Sequence, residues 1–350
     1  MNNRAGDVSS GRALLAERMA GVSELLGAVA ELELEPAATV ADGPVVTTGA
    51  GASEGPARLC AAALEARGGQ ASFEPLSSFA TGADLERIEL HRAKLVIVSQ
   101  GLCPNARVAL RVARRFDSIT VLTAVTPSIA APPGSPPRAL AEAREVGAMI
   151  VRHPPAEESG LLVRVLGPAA ASLVALRLGG LTPPNTLAER HLESRRAATA
   201  HLAEALLPFL ARHAAPALAF VTVGASRHLA HGLRWKLLEA AGVADPPVWD
   251  VLQFAHGPFQ QIFEQPTIVC ALERPGDGPL LDRLERMLVP ARHLLLRSRA
   301  TLVGPFAFFE HDAFADALAL TLVGNRDLEI GRWPGHGADA PLYGFDGSEP

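Results

Sequence analysis

Lysine is almost missing from this 350-residue chain: only Lys94 and Lys236 occur, and the other basic residues are arginines. A lysine inside any candidate site therefore needs a reason. Cysteine is scarce as well. Cys60, Cys103 and Cys270 are odd in number and far apart, which excludes a disulfide framework and points to a reducing compartment. Positive charge is not in excess. A net charge of -5 removes any general electrostatic reason to bind nucleic acid or an anionic membrane. No apolar run reaches spanning length, and the opening MNNRAGDVSSGRALLAERM lacks a signal-peptide core, so a cytoplasmic location is expected. There is no Walker loop, HExxH, CxxC or serine-hydrolase elbow, and no cofactor is implied.

What is present is a large hydrophobic fraction, 48%, on a chain long enough for two domains. It also repeats itself. Residues 46–68, VTTGAGASEGPARLCAAALEARG, are echoed at 221–242 by VTVGASRHLAHGLRWKLLEAAG. Each copy reads as a β-branched run, a Gly-Ala-Ser turn, a helix carrying Leu-Glu-Ala and a closing Gly. Two copies of one α/β unit follow, with function to be sought at matching strand-to-helix turns.

The spacing of Leu14, Leu15, Met19, Val22, Leu25, Leu26 and Val29 predicts an amphipathic helix over 11–31, serving as a packing or dimer arm. Strands are expected near 44–48, 70–74, 94–99, 118–123 and 148–152, with helices near 54–67, 105–115, 136–144 and 166–178. Such alternation predicts a parallel sheet covered on both faces. TPPN (182–185) marks a boundary and 186–212 a long linking helix. The second unit is expected to hold strands near 217–223, 247–252, 267–272, 294–297 and 300–303, and helices near 227–241, 279–290 and 312–320. The domain plan is thus an arm (1–35), a first domain (36–185), a second (186–330) and a Gly- and Pro-rich tail (331–350). That tail is either disordered or a strap, and its Trp and Tyr favour the strap slightly.

A Gly-x-Gly-x-Ser turn, a strand ending in Ser-Gln-x-Gly, then Lys-x-x-Glu followed by His-Gly-Pro is similar to the sugar isomerase (SIS) family. The arrangement resembles the double-SIS type, as in the isomerase half of glucosamine-6-phosphate synthase, over residues 10–330. The resemblance implies an α/β fold of two tandem SIS domains, each a five-stranded parallel sheet in a three-layer sandwich. It also implies a sugar or sugar-phosphate ligand and a homodimer with a shared active site.

Four pieces carry that resemblance. GAGAS (49–53) corresponds to the family turn facing the sugar or its phosphate, and gives Gly51, Ala52 and Ser53 as candidate binding residues. Glycines let backbone approach a ligand, and the helix N-terminus beyond attracts anions; the bland alternative is an ordinary capped turn. The loop after the third strand, SQGLCPN, adds Ser99, Gln100, Gly101, Cys103 and Asn105. Here a thiol stands where the family has a hydroxyl, and a thiol is the weaker donor. Near 160–175 only Ser172 offers a further hydroxyl. The phosphate clamp is therefore depleted, which leaves phosphorylated and unphosphorylated ligands both open.

Lys236 and Glu239, counted without gaps from Gly224, fall where the family places its catalytic pair. Glu239 would move a proton between adjacent carbons, and Lys236, one turn back, would stabilise oxyanion charge. The alternative is a surface i,i+3 ion pair. His256, in HGP after the second strand, would open the sugar ring, since imidazole exchanges protons near neutral pH. His228 and His231 share a helix face, but no third ligand is visible and no metal is expected. Asp250 and Glu264 are possible lining residues without a specific argument. No glutaminase cysteine opens the chain and no lysine follows Lys236, so neither glutamine-derived ammonia nor Schiff-base chemistry on a tail lysine is expected. The implied activity is ketose–aldose or ketose–amino-aldose interconversion through an enediol or enolamine. The alternatives are ammonia-dependent aminotransfer, a deglycase or deaminase reaction, and a non-catalytic sugar-binding regulator.

Overall fold

The computed structural model describes residues 4–34, 43–145, 147–155, 158–326, 328–331 and 337–345. They form two compact units that are discontinuous in sequence. The first comprises Glu24–Ser159, Arg164–Pro183 and Trp333–Pro350; the second, Met1–Ser23, Gly160–Val163 and Pro184–Arg332. The opening helix α1 (Arg4–Glu31) supplies residues to both units. Its expected stripe is real: Leu15, Met19, Val22, Leu26 and Val29 are buried within the chain itself.

In the first unit the elements are β1 (Val45–Thr48), α2 (Glu54–Ala66), β2 (Ala71–Phe73), α3 (Leu76–Thr81), β3 (Lys94–Val98), α4 (Pro104–Val112), β4 (Ser118–Thr123), α5 (Pro136–Glu145), β5 (Met149–Arg152) and α6 (Leu166–Leu178). All strand pairs are parallel, in the order β2-β1-β3-β4-β5. Val45 lies opposite both Ala71 and Lys94, and Lys94 opposite Ser118. Strands covered on both faces need apolar side chains throughout, and β1 (VVTT) is buried at every position. Leu95 and Ile97, two apart on β3, share the face covered by Phe79 of α3, Ala106 and Ala109 of α4 and Leu140 of α5. Helices α2 and α6 pack side by side against the sheet.

The second unit contains α7 (Leu187–Arg212), β6 (Ala217–Thr222), α8 (Arg227–Ala241), β7 (Val248–Asp250), α9 (Val251–Phe254), α10 (Pro258–Ile262), β8 (Thr267–Glu273), α11 (Gly278–Met287), β9 (His293–Arg299) and α12 (Ala307–Arg326). Its sheet, again parallel, runs β7-β6-β8-β9. Four strands are found among the described residues where five were expected. Residues 300–303 are not a strand: the chain leaves the sheet after Ala300, whose amide still donates to Glu273 O of β8 at 2.8 Å, because the next two amides go elsewhere. Thr301 and Leu302 donate backbone N–H to the buried Glu310 carboxylate, at 2.7 and 2.6 Å. Gly304, at φ +61°, then turns the chain into α12, which starts earlier and ends later than 312–320. Helix α12 is apolar on nearly every side, so it is buried against α7 and α8. No helix among the described residues is long and apolar enough to cross a membrane.

Part of the tail is a strap on the first unit. Residues 340–343 form a short helix, α13 (Ala340–Tyr343), and Phe345 packs against the first unit's core. Trp333, invoked for a strap, lies outside the described residues.

Candidate functional site

In an open parallel sheet, ligands bind beyond the carboxyl ends of the strands where the order reverses. In the first unit that point lies between β1 and β3: the chain goes from β1 outward to β2, then back to β3 and outward through β4 to β5. The loops leaving β1 and β3 are 49–53 and 99–103, which carry all the expected binding residues except Asn105, the second residue of α4.

After β1 the chain makes a single 3-10 turn, Gly51–Ser53, and enters α2 directly. Gly51 holds φ +57°, a conformation glycine adopts without Cβ strain. Gly49 is needed for a different reason. A Cβ there would stand 2.6 Å from Ser53 O and 3.0 Å from Val98 O. Ser53 is the α2 N-cap residue without a side-chain cap bond, and its amide donates to Ala50 O at 3.1 Å. The turn thus lacks the Ser53 side-chain cap that the bland alternative supplies.

After β3, Ser99 is buried and its amide donates to Leu122 O at 3.0 Å. The Gln100 carbonyl accepts from Ala124 N and Thr123 Oγ1, and its side chain lies where a Gly167 Cβ would be, at 2.3 Å. That contact sets Gln100 against the start of α6. Gly101 is exposed, and Leu102 adopts φ +48°, a left-handed conformation costing roughly 1–2 kcal/mol for a side-chain-bearing residue. Sequence reasoning did not single out this residue. Cys103 caps α4 without a side-chain cap bond, as a weak thiol acceptor should. Asn105 is committed elsewhere. Its Nδ2 donates to the carbonyls of Leu342 and Phe345 on the strap, both at 2.8 Å.

Another residue missed in the sequence is Glu158. Its buried carboxylate accepts from the amides of Val165, Leu166 and Gly167 at 2.7, 3.1 and 3.0 Å, satisfying the α6 N-terminus. Its distance from the helix, seven residues before the first of those amides, falls outside any capping pattern. Ser172 lies inside α6, buried, rather than in a loop.

In the second unit the reversal falls between β6 and β8. After β6 the Gly224–Ser226 turn repeats the first unit's geometry, with Gly224 at φ +55° leading into α8. Asp250 ties this turn to the next loop. Its Oδ2 accepts from Gly224 N at 3.3 Å, while Oδ1 accepts from Leu252 N and Gln253 N, capping α9. Across the reversal, Arg274 donates to Val223 O at 2.9 Å and pairs with Asp277 at 3.2 Å. Neither Arg274 nor Asp277 was anticipated. His256 is exposed between α9 and α10, its amide donating to Gln253 O at 2.9 Å. Glu239 is half-buried in the last turns of α8. Glu264 pairs with Arg292 at 2.7 Å.

Lys236, one turn before Glu239, points inward. Its ammonium donates to Asp312 Oδ1 and Asp316 Oδ1 of α12, each at 2.5 Å, and the lysine is 6% exposed. Burial alone would lower the lysine pKa, but the two carboxylates outweigh it and hold the ammonium charged above its ordinary range. The surface ion pair considered from sequence is therefore replaced by a buried one with different partners. Next to it sits His191 of α7, hydrogen-bonded through Nδ1 to Ser23 Oγ at 2.9 Å. Burial pushes its pKa down to about 4, against a smaller opposing effect of Asp312. The signal for this cluster was available: two aspartates four apart in a largely apolar stretch, AFFEHDAFADALAL, require buried partners.

No family model matches the chain, and no curated protein matches it in sequence. Solved structures do match in fold. Glucosamine-6-phosphate deaminase from Thermotoga maritima superposes with a TM-score of 0.68 at 14% identity, covering 89% of this chain and 95% of that one. The C-terminal domain of glucosamine-fructose-6-phosphate aminotransferase from Francisella tularensis gives 0.66 at 11% identity, covering 89% and 96%. Tagatose-6-phosphate ketose/aldose isomerase from Escherichia coli gives 0.59 at 16% identity, covering 95% of each chain. The chain therefore shares the α/β fold of these proteins, with two parallel sheets flanked by helices.

Proposed function

We propose that the protein is a sugar-converting enzyme that interconverts a ketose with an aldose or amino-aldose through an enediol or enolamine. The observation carrying this reading is the paired Gly-Ala-Ser turn: the same left-handed glycine and 3-10 turn open a helix at the reversal point of each sheet. It stands on a fold shared with three proteins that act on sugar phosphates or are named for them.

Roles follow from chemistry. Gly51, Ala52, Ser53, Ser99, Gln100 and Gly101 hold the sugar, with Cys103 beside them. His256, exposed on its loop, passes a proton between the ring oxygen and the anomeric hydroxyl to open the ring. Glu239 then takes the proton from C2 of the aldose as the C1 oxygen gains a proton, giving an enediol. It delivers that proton to C1 as the C2 hydroxyl gives up its own, leaving the C2 carbonyl of the ketose. Lys236 is reassigned: with both neighbours carboxylates it positions α8 and does not meet a ligand. Asn105 is reassigned to holding the strap. Transfer or release of ammonia at C2 uses the same carbon-bound proton, so aminotransfer and deamination remain variants of this reading. A homodimer that shares its active sites belongs to the same proposal.

The test is proton exchange. Candidate ketoses and aldoses, free and phosphorylated, are incubated with enzyme in deuterium oxide and followed by proton NMR. Loss of the C2 proton signal with wild type, reduced at least 100-fold in Glu239→Gln, is expected. Ligand-dependent thermal stabilisation equal in both proteins, with no exchange on any sugar, would instead establish the sugar-binding regulator. That second reading is favoured by one observation: Cys103 makes no cap bond, and the amide donors of Asn105 are taken.

A further inference from the structure

We propose that His191, Asp312 and Asp316 form a binding site for a divalent first-row transition-metal ion inside the second unit. This does not rest on the assignment of sugar chemistry, and it revises the expectation that the chain binds no metal.

The three residues come from two helices, α7 and α12, and all are buried. One ligand atom from each lies within 4.8 Å of the others. Metal–nitrogen and metal–oxygen bonds of about 2.0–2.2 Å bring ligand atoms to within about 4.4 Å of one another, so closure by a few tenths of an ångström suffices. Each residue is anchored on one side and open on the other. Ser23 takes His191 Nδ1, and Lys236 takes the Oδ1 atom of both aspartates. His191 Nε2, Asp312 Oδ2 and Asp316 Oδ2 have no hydrogen-bond partner among the described residues.

Buried polar atoms without partners are rare and call for an occupant. In the tautomer in which Nδ1 donates to Ser23 Oγ, Nε2 presents a lone pair and the three open atoms are all acceptors, the form a metal ion selects. A water molecule donates only two hydrogen bonds, one too few. A cation satisfies all three at once. Lys236 bonds both carboxylates and the positive charge of Arg195 also acts on His191 and Asp316, so the pull on a cation comes from the three open atoms and not from net charge. One imidazole and two carboxylate oxygens select a first-row transition ion over magnesium or calcium, which favour oxygen alone. The surrounding hydrogen bonds are those that fix metal ligands: a hydroxyl on the other imidazole nitrogen and an ammonium on the other carboxylate oxygens. Lys236 weakens the site by its charge but orients it.

Cobalt(II) is the probe. Full-length protein is stripped with EDTA, dialysed against cobalt(II), and measured for bound metal, visible d–d absorption and thermal unfolding. One cobalt per chain, a visible band and a higher melting temperature are expected, with all three lost in His191→Gln and Asp316→Asn. Lys236→Met supplies an independent arm. Removing the neighbouring positive charge should tighten cobalt binding by roughly tenfold or more, and cobalt should recover stability that this variant lacks when stripped. The proposal is overturned if wild type and Lys236→Met both take up less than stoichiometric cobalt. It is equally overturned if binding survives His191→Gln, or if cobalt leaves stripped Lys236→Met no more stable.

Discussion

Removing the Lys236 ammonium is the sharpest way to separate a catalytic from a structural lysine. In Lys236→Met the aliphatic stem is kept while the charge is lost, so Asp312 and Asp316 remain four residues apart inside the most buried helix of the second unit. Neither has another hydrogen-bond partner among the described residues for its Oδ2. Breaking a buried ion pair by deleting one member costs about 3–5 kcal/mol, because the remaining charge is stranded. One aspartate can escape by taking a proton, and burial already pushes the Asp316 carboxyl up, which places the loss at the lower end near neutral pH. At about 2–4 °C per kcal/mol for a unit of this size, a loss near 3 kcal/mol lowers the melting temperature by roughly 6–12 °C. The assay is urea and thermal unfolding in EDTA, followed by circular dichroism. The triple variant Lys236→Met, Asp312→Leu, Asp316→Leu should recover most of the loss, since apolar replacement of a whole buried ion cluster is neutral or stabilising. A Lys236→Met protein that unfolds within about 1 kcal/mol of wild type yet no longer turns over sugar would refute the structural reading and restore the lysine to the chemistry.

Three further outcomes are expected. Gly49→Ala drives a Cβ to 2.6 Å from Ser53 O and 3.0 Å from Val98 O, both backbone atoms. The turn must shift, so a loss of about 1–3 kcal/mol should accompany disappearance of sugar-induced thermal stabilisation; a variant that keeps both would show the turn does not hold ligand. Burial lowers the pKa of His153, and that of His311 to about 3, so the folded chain resists a proton that the unfolded chain accepts near 6.5. Their contribution is complete above pH 6.5 and declines as pH falls: His311 alone accounts for about 1.4 kcal/mol by pH 5.5. Urea unfolding at pH 7.5 and 5.5 should show that decline, smaller in His311→Gln. Finally, Asn105→Ala deletes two hydrogen bonds to the strap, each worth about 0.5–1.5 kcal/mol. Amide exchange over 337–345 should quicken while the first unit's melting temperature barely moves, and unchanged exchange would mean that Phe345 alone secures the strap.

Much of the architecture was legible because local chemistry writes it directly. Short runs rich in β-branched residues, such as VVTT and KLVIV, declare buried parallel strands. The paired Gly-Ala-Ser turns declared themselves through repetition, and each glycine indeed holds a left-handed φ. The limits were equally physical. The run 300–303 looked like a strand because its apolar character is local, whereas the amides of Thr301 and Leu302 answer to Glu310 from the following helix. Lys236 and Glu239 share a helix face in sequence, but which way that face points depends on where α12 lies. Asn105 and the strap are 237 residues apart for their first hydrogen bond, and no periodicity links them. Periodicity and turn chemistry act within a few residues, so the sequence alone determined strands, helices and the turns that join them. Partners for buried charge are chosen across the fold, so tertiary structure alone decided that Lys236 serves two aspartates, that Glu158 closes a helix start, and that His191, Asp312 and Asp316 come together.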